Sequence, residues 1–195
     1  MLKKGQGPIA TVMAIALAFF SIYFWSAKNY EFIVYIGVIV VFAALILSTN
    51  KKVNYPNNVL WGLVVWAIMH MSGGALYFGG TRLYEIILIP LSKTLPILRY
   101  DQFVHIVGFG VATCLMYALL KEKLKPGTAT FASIGIVTVM AGLGVGALNE
   151  MIEFAATLMA PETGVGGYMN TSLDLVADFV GALLAWVWIA RRGKV

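Results

Sequence analysis

The sequence predicts an all-α, polytopic membrane bundle. It has six transmembrane helices, a short re-entrant or interfacial segment at about residues 81–98, and both termini on the cytoplasmic side. Three observations predict it. Hydrophobic residues make up 60% of the chain and charged residues 12%, against roughly 25% charged in soluble domains. The apolar residues come in runs of about 20, the length of a helix crossing a ~30 Å hydrocarbon core. The alternating short strands of a barrel are missing, and lipid permits only helices or a closed barrel.

The elements follow in order. The first span, 8–26, comes after Lys3 and Lys4 and resembles a signal segment. Phe24-Trp25-Ser26 offers no small-residue cleavage site, so an uncleaved anchor is expected. The second span is 31–49, ahead of Lys51 and Lys52, and the third is 57–77. The segment 81–98 is apolar but short, holds Pro90 and Pro96, and carries Arg82, Glu85 and Lys93. The fourth span is 100–120. The fifth, 128–159, is long enough for its outer turns to leave the hydrocarbon, and its Gly142 and Gly146 suit close helix packing. A loop with Gly164, Gly166 and Gly167 leads to the sixth span, 171–190. Residues 1–195 form a single integral membrane domain.

Basic residues set the orientation, because cytoplasmic loops are enriched in Lys and Arg. Six spans with the N-terminus inside put Lys3, Lys4, Lys51, Lys52, Lys121, Lys123, Lys125, Arg191, Arg192 and Lys194 on the inner side. Lys28, Arg82, Lys93 and Arg99 fall outside. A seventh span would carry the two strongest basic clusters to the outer face. The net charge of +5 flanks apolar runs rather than forming one patch, so membrane lipid is the expected partner and nucleic acid is not. Cys114 is alone and permits no intramolecular disulfide.

Ionisable groups at membrane depth are costly, so their positions point to function. On the third span His70 lies about 10 Å below the outer end, at 1.5 Å per residue. The fourth carries Asp101 at the rim and His105 one turn down. The fifth carries Glu150 and Glu153, and the sixth Asp174 and Asp178, at i, i+3 and i, i+4 spacings that share a helix face. Four helices thus bring titratable groups to one level in the outer half of the membrane. One outward-facing polar chamber is expected, with Asn149, Asn170, Ser172 and Gln102 completing its hydrogen bonds and Arg82 and Arg99 at its mouth. Glu85 is expected to face water, and the five tryptophans to face lipid or its interface.

Several carboxylates cannot all stay ionised in such a site without counter-charges. Three chemistries are compatible with that. One is a divalent metal ion held by His70, His105, Glu150, Glu153, Asp174 and Asp178. Another is a polar small molecule or lipid headgroup, with Arg82 and Arg99 as anion anchors and Asp101, His105 and Glu150 as catalytic acid–base groups. The last is a set of hydrogen bonds that only lock the helices together.

The run Tyr100-Asp101-Gln102-Phe103-Val104-His105 resembles the Asp-x-x-x-His entry to a membrane helix in the YjdF-like family of bacterial inner-membrane proteins. Asn149-Glu150-Met151-Ile152-Glu153 resembles that family's Glu-x-x-Glu helix end. Asn170-Thr171-Ser172-Leu173-Asp174, Asp178 and Gly181-Ala182 are similar to its closing helix. The same order of elements is more loosely similar to the VanZ-like family, associated with glycopeptide-antibiotic resistance. Here the last outer loop lacks that family's Arg, and Glu153 stands where an aromatic or Gln is usual. The resemblance implies a multi-pass protein of the bacterial cytoplasmic (inner) membrane whose outward-facing polar residues matter.

The expected role is to bind, and chemically process, a polar or lipid-headgroup ligand, with Asp101, His105 and Glu150 catalytic. His70, Arg82, Arg99, Glu153, Asn170, Asp174 and Asp178 would bind the ligand, and a divalent metal ion is the candidate cofactor. A proton-coupled transporter and a non-catalytic scaffold are the competing expectations, and a homodimer could supply what one chain lacks.

Overall fold

The computed structural model describes residues 2–124, 130–159 and 163–192. Lys125, Lys194 and the first two residues of the expected fifth span lie outside these. Six helices among the described residues are long and apolar enough to cross a membrane. They are α1 (Gln6–Ser26), α2 (Tyr30–Val53), α3 (Asn57–Ala75), α4 (Tyr100–Lys121), α5 (Phe131–Met159) and α6 (Tyr168–Arg191).

Local chemistry sets several ends. Asn29 caps α2, its side chain accepting from the Phe32 amide at 3.2 Å, as an N-cap residue should. Lys51 and Lys52 occupy the last turn of α2, where positive charge favours the helix dipole. The inner ends of α1 and α2 are joined by buried amides: Asn50 Nδ2 donates to Gln6 Oε1 at 2.6 Å. At the outer end, Phe20 and Phe24 of α1 pack with Phe32 and Tyr35 of α2 and Met71 of α3 in one apolar cluster.

Helix α4 is the centre of the bundle, packed against α3, α5 and α6. Its pairing with α6 is parallel and in register. Gln102 meets Asp174 and His105 meets Asp178, at sequence separations of 72 and 73. One turn deeper, Gly181 lies against the backbone of Ile106 and Gly110. Only a residue without Cβ lets the two helices come this close.

The segment after α3, expected as a short re-entrant or interfacial piece, is built without an α-helix. Tyr77–Phe78 (β1) pairs antiparallel with Thr81–Arg82 (β2). Gly79 and Gly80 make the turn at φ of 57° and 84°, the left-handed backbone that a two-residue hairpin requires. A 3-10 turn, Leu83–Glu85, follows. The chain then doubles back so that the Leu88 amide donates to Leu98 at 2.9 Å and the Tyr100 amide to Ile86 at 2.8 Å. Pro90 and Pro96 deny this stretch a helix, and it forms a flap over the end of α3 and the start of α4.

Candidate functional site

The polar residues form two levels. The upper level is an open cleft beneath the flap. Glu31 and Tyr35 of α2, His70 of α3, Asp101 of α4, Glu153 of α5 and Asn170 of α6 line it, with Arg82, Tyr84 and Glu85 from the flap. Five helices contribute rather than the expected four, because Glu31 joins from α2. Glu31 is buried, accepts the Gly164 amide at 2.8 Å and the Tyr35 hydroxyl at 3.3 Å, and faces Arg82 at 3.9 Å. Glu31 reads in the sequence as the first residue of a span, and only the distant residues 82 and 164 give it a role.

His70 sits in an aromatic box. Trp66 stacks on it at 5.5 Å between ring centroids, Phe32 and Tyr35 flank it, and Tyr84 closes the outer side. The Tyr84 hydroxyl lies 2.5 Å from His70 Nδ1. Burial pushes the Tyr84 phenol well above its ordinary value, so it keeps its proton. Small residues make the box. The Tyr84 ring lies against Gly73 and the Phe32 ring against Gly74, at contacts a Cβ would obstruct. The run Ser72-Gly73-Gly74-Ala75 is the sequence signal for this packing. Trp66, expected to face lipid, instead packs inward on His70.

The lower level lies under the floor of the cleft. His105 Nδ1 is 2.8 Å from Asp178 Oδ1 and 4.0 Å from Glu150 Oε1, while His105 Nε2 is 3.8 Å from Asp101 Oδ1. Asp174 accepts from Gln102 at 3.3 Å and from Asn170 at 2.5 Å. Asn170 also donates to Asp101 at 3.3 Å. Asp101 and Asn170 therefore belong to both levels. Asp174 and Asp178 are fully buried, and Glu150 and His105 nearly so. Ligand atoms within 4.8 Å of one another form two groups, Asp101–His105–Asp174 and His105–Glu150–Asp178.

The geometry brings together most of the expected site residues and revises the roles of some. His70 and Glu153 lie outside both three-residue groups. His70 is taken up by Tyr84, and Glu153 accepts from Asn149 at 2.8 Å, so the expected six-residue metal set contracts. Arg99 does not line the cleft. It is half-buried at the start of α4 and, among the described residues, makes no ion pair. Arg82 lines the cleft but faces Glu31. The pair of Arg anchors expected for an anion is therefore not assembled. Glu85, expected in water, is exposed and also stands at the rim of the cleft.

Below the cleft, an apolar groove of about 910 Å³ runs between the first five helices. Trp66 and Asn149 line it, and these two residues touch His70 and Glu153 of the cleft.

A family model described as "Predicted membrane protein (DUF2238)" matches residues 8–194. The chain belongs to this family. The match spans all six helices, so both levels and the groove belong to the part of the chain that the DUF2238 family describes. Neither the curated proteins nor the solved structures include a match to the chain. The family description places this DUF2238 protein in a membrane and leaves its chemistry to be argued from the side chains.

Proposed function

We propose that the protein binds a membrane amphiphile from the outer leaflet, with the polar headgroup in the cleft and an acyl chain in the groove beneath. The observation that carries this is the wall the two spaces share. Trp66 lines the groove and stacks on His70 of the cleft. Asn149 lines the groove and donates to Glu153 of the cleft. A polar space at the outer boundary directly above an apolar one matches the division of polarity within a lipid.

Charge narrows the headgroup. The cleft carries the acidic residues Glu31, Glu85, Asp101 and Glu153 against one guanidinium, Arg82. An amine-bearing or hydroxyl-rich headgroup suits that balance better than a bare anion. Asp101 is the acid group placed to exchange a proton with such a ligand, since it lines the cleft and lies beside His105. Glu150 sits below the floor and supports this pair rather than touching the ligand. The YjdF-like and VanZ-like resemblances add the setting, a bacterial cytoplasmic membrane with the cleft facing outward. A proton path across the membrane has less support, because the groove below the cleft is apolar apart from Asn149.

Lipid retained through purification tests the reading. Native mass spectrometry of the protein from mild detergent should show one bound amphiphile class, enriched over bulk membrane. Filling the groove by Ala112→Phe should remove it, and Glu153→Gln should change which headgroup is held. Retained lipid that mirrors the bulk membrane and ignores both substitutions would overturn the proposal.

A further inference from the structure

Beneath the floor of the cleft, α4, α5 and α6 bring His105, Glu150 and Asp178 together. Glu150 and Asp178 present two buried oxygens, Oε1 and Oδ2, that have no hydrogen-bond partner among the described residues. Both side chains are more than nine-tenths buried, at 8% and 0% exposure. A buried acceptor without a donor costs about 1–3 kcal/mol, and more when it is charged. No Lys or Arg among the described residues pairs with either, and the nearest cationisable group is His105. We propose that a divalent metal ion binds here, held by His105, Glu150 and Asp178.

The donor set suits the ion. One imidazole and two carboxylates belong to the zinc, manganese and iron(II) class rather than to soft copper. The three ligand atoms already lie within 4.8 Å of one another. Two carboxylates and a doubly charged ion sum to zero, which lowers the cost of burying the charges. With Asp178 and Asp101 facing its two ring nitrogens, His105 starts as an imidazolium; the ion takes the place of the Nδ1 proton, which leaves to solvent, and the neutral ring keeps its one proton on Nε2, on the side of Asp101.

The neighbouring group, Asp101–His105–Asp174, is the weaker candidate. Its carboxylates already receive Gln102 and Asn170, so they gain less from an ion. Gly146 gives the proposed site its room. A Cβ there would run into the Asp178 carboxylate, and α5 approaches α6 at this level because it has none.

The inference goes beyond the lipid proposal and stands or falls separately, since its readout is metal and not lipid. The full chain, purified in detergent and stripped with chelator, is incubated with Mn²⁺ or Zn²⁺, desalted and assayed for metal. Wild type should hold one ion per chain. Glu150→Gln and Asp178→Asn should weaken binding at least tenfold, and Glu122→Gln, an exposed carboxylate just after α4, should leave it unchanged. Gly146→Ala keeps every ligand and should also weaken binding. Pulsed EPR of the Mn²⁺ form should show coupling to one imidazole nitrogen that His105→Gln removes. Wild type without stoichiometric metal would overturn the proposal, as would equal metal in Glu150→Gln and Asp178→Asn or a Mn²⁺ signal without nitrogen coupling. Because these outcomes are read on wild type as well, an unstable variant does not rescue the idea.

Discussion

His105 and Asp178 hold each other across α4 and α6 at 2.8 Å, with exposures of 4% and 0%. Removing one partner of such a pair strands the other, which typically costs about 3–5 kcal/mol, whereas replacing both by apolar groups is far milder. Asp178→Ala should therefore lower the unfolding midpoint steeply. The double substitution His105→Leu with Asp178→Leu should recover much of the loss. Thermal unfolding in detergent measures both, and additive losses would show that the two residues are not coupled.

Close approach of α4 and α6 depends on Gly181. A methyl group there meets the Ile106 carbonyl and the Gly110 amide, and backbone cannot step aside as a side chain can. Gly181→Ala should destabilise by about 1–3 kcal/mol, the usual cost of overpacking. Gly144, with open space around its Cβ position, is the matched control, and Gly144→Ala should be tolerated. Unfolding of the two variants side by side decides it.

The flap is pinned by two polar contacts on different helices. Tyr84→Phe removes the hydroxyl paired with His70 Nδ1 and leaves a buried ring nitrogen unmet, a loss of about 1–3 kcal/mol. Glu31→Gln removes the charge that holds the Gly164 amide and faces Arg82. Amide exchange at residues 163–167 should then accelerate roughly tenfold, as expected for losing a charge-assisted hydrogen bond of ~1.5–3 kcal/mol. Exchange unchanged in this loop would mean that Glu31 does not order it.

Orientation is open to a direct check. In a Cys114→Ala background, Phe78→Cys places a thiol on the exposed hairpin and Lys52→Cys places one at the opposite end of the bundle. A membrane-impermeant thiol reagent added to intact cells should label the first and spare the second until the membrane is broken. The reverse pattern would put the cleft on the cytoplasmic side and remove the outer-leaflet part of the proposed function.

The amino-acid sequence by itself determined the spans, because a bilayer imposes a length and an apolar composition that any helix crossing it must show locally. It also ordered the titratable groups along α3 to α6, since rise per residue converts position into height, but it did not assign Glu31 of α2. Helix rotation and the path of the outer connection were decided by the tertiary structure. Glu31 became part of the cleft because Arg82 and Gly164, far away in the chain, fold back onto it. Arg99 stands away from the cleft, and His70 lines it but lies outside the metal-ligand groups, because side-chain direction depends on neighbours, for His70 Tyr84, Trp66 and the glycines that admit them. The hairpin at Gly79 and Gly80 was not read from the sequence and came only with the structure. The two levels of the site were not legible either, because only the parallel register of α4 and α6 sets Asp174 and Asp178 beside Gln102 and His105.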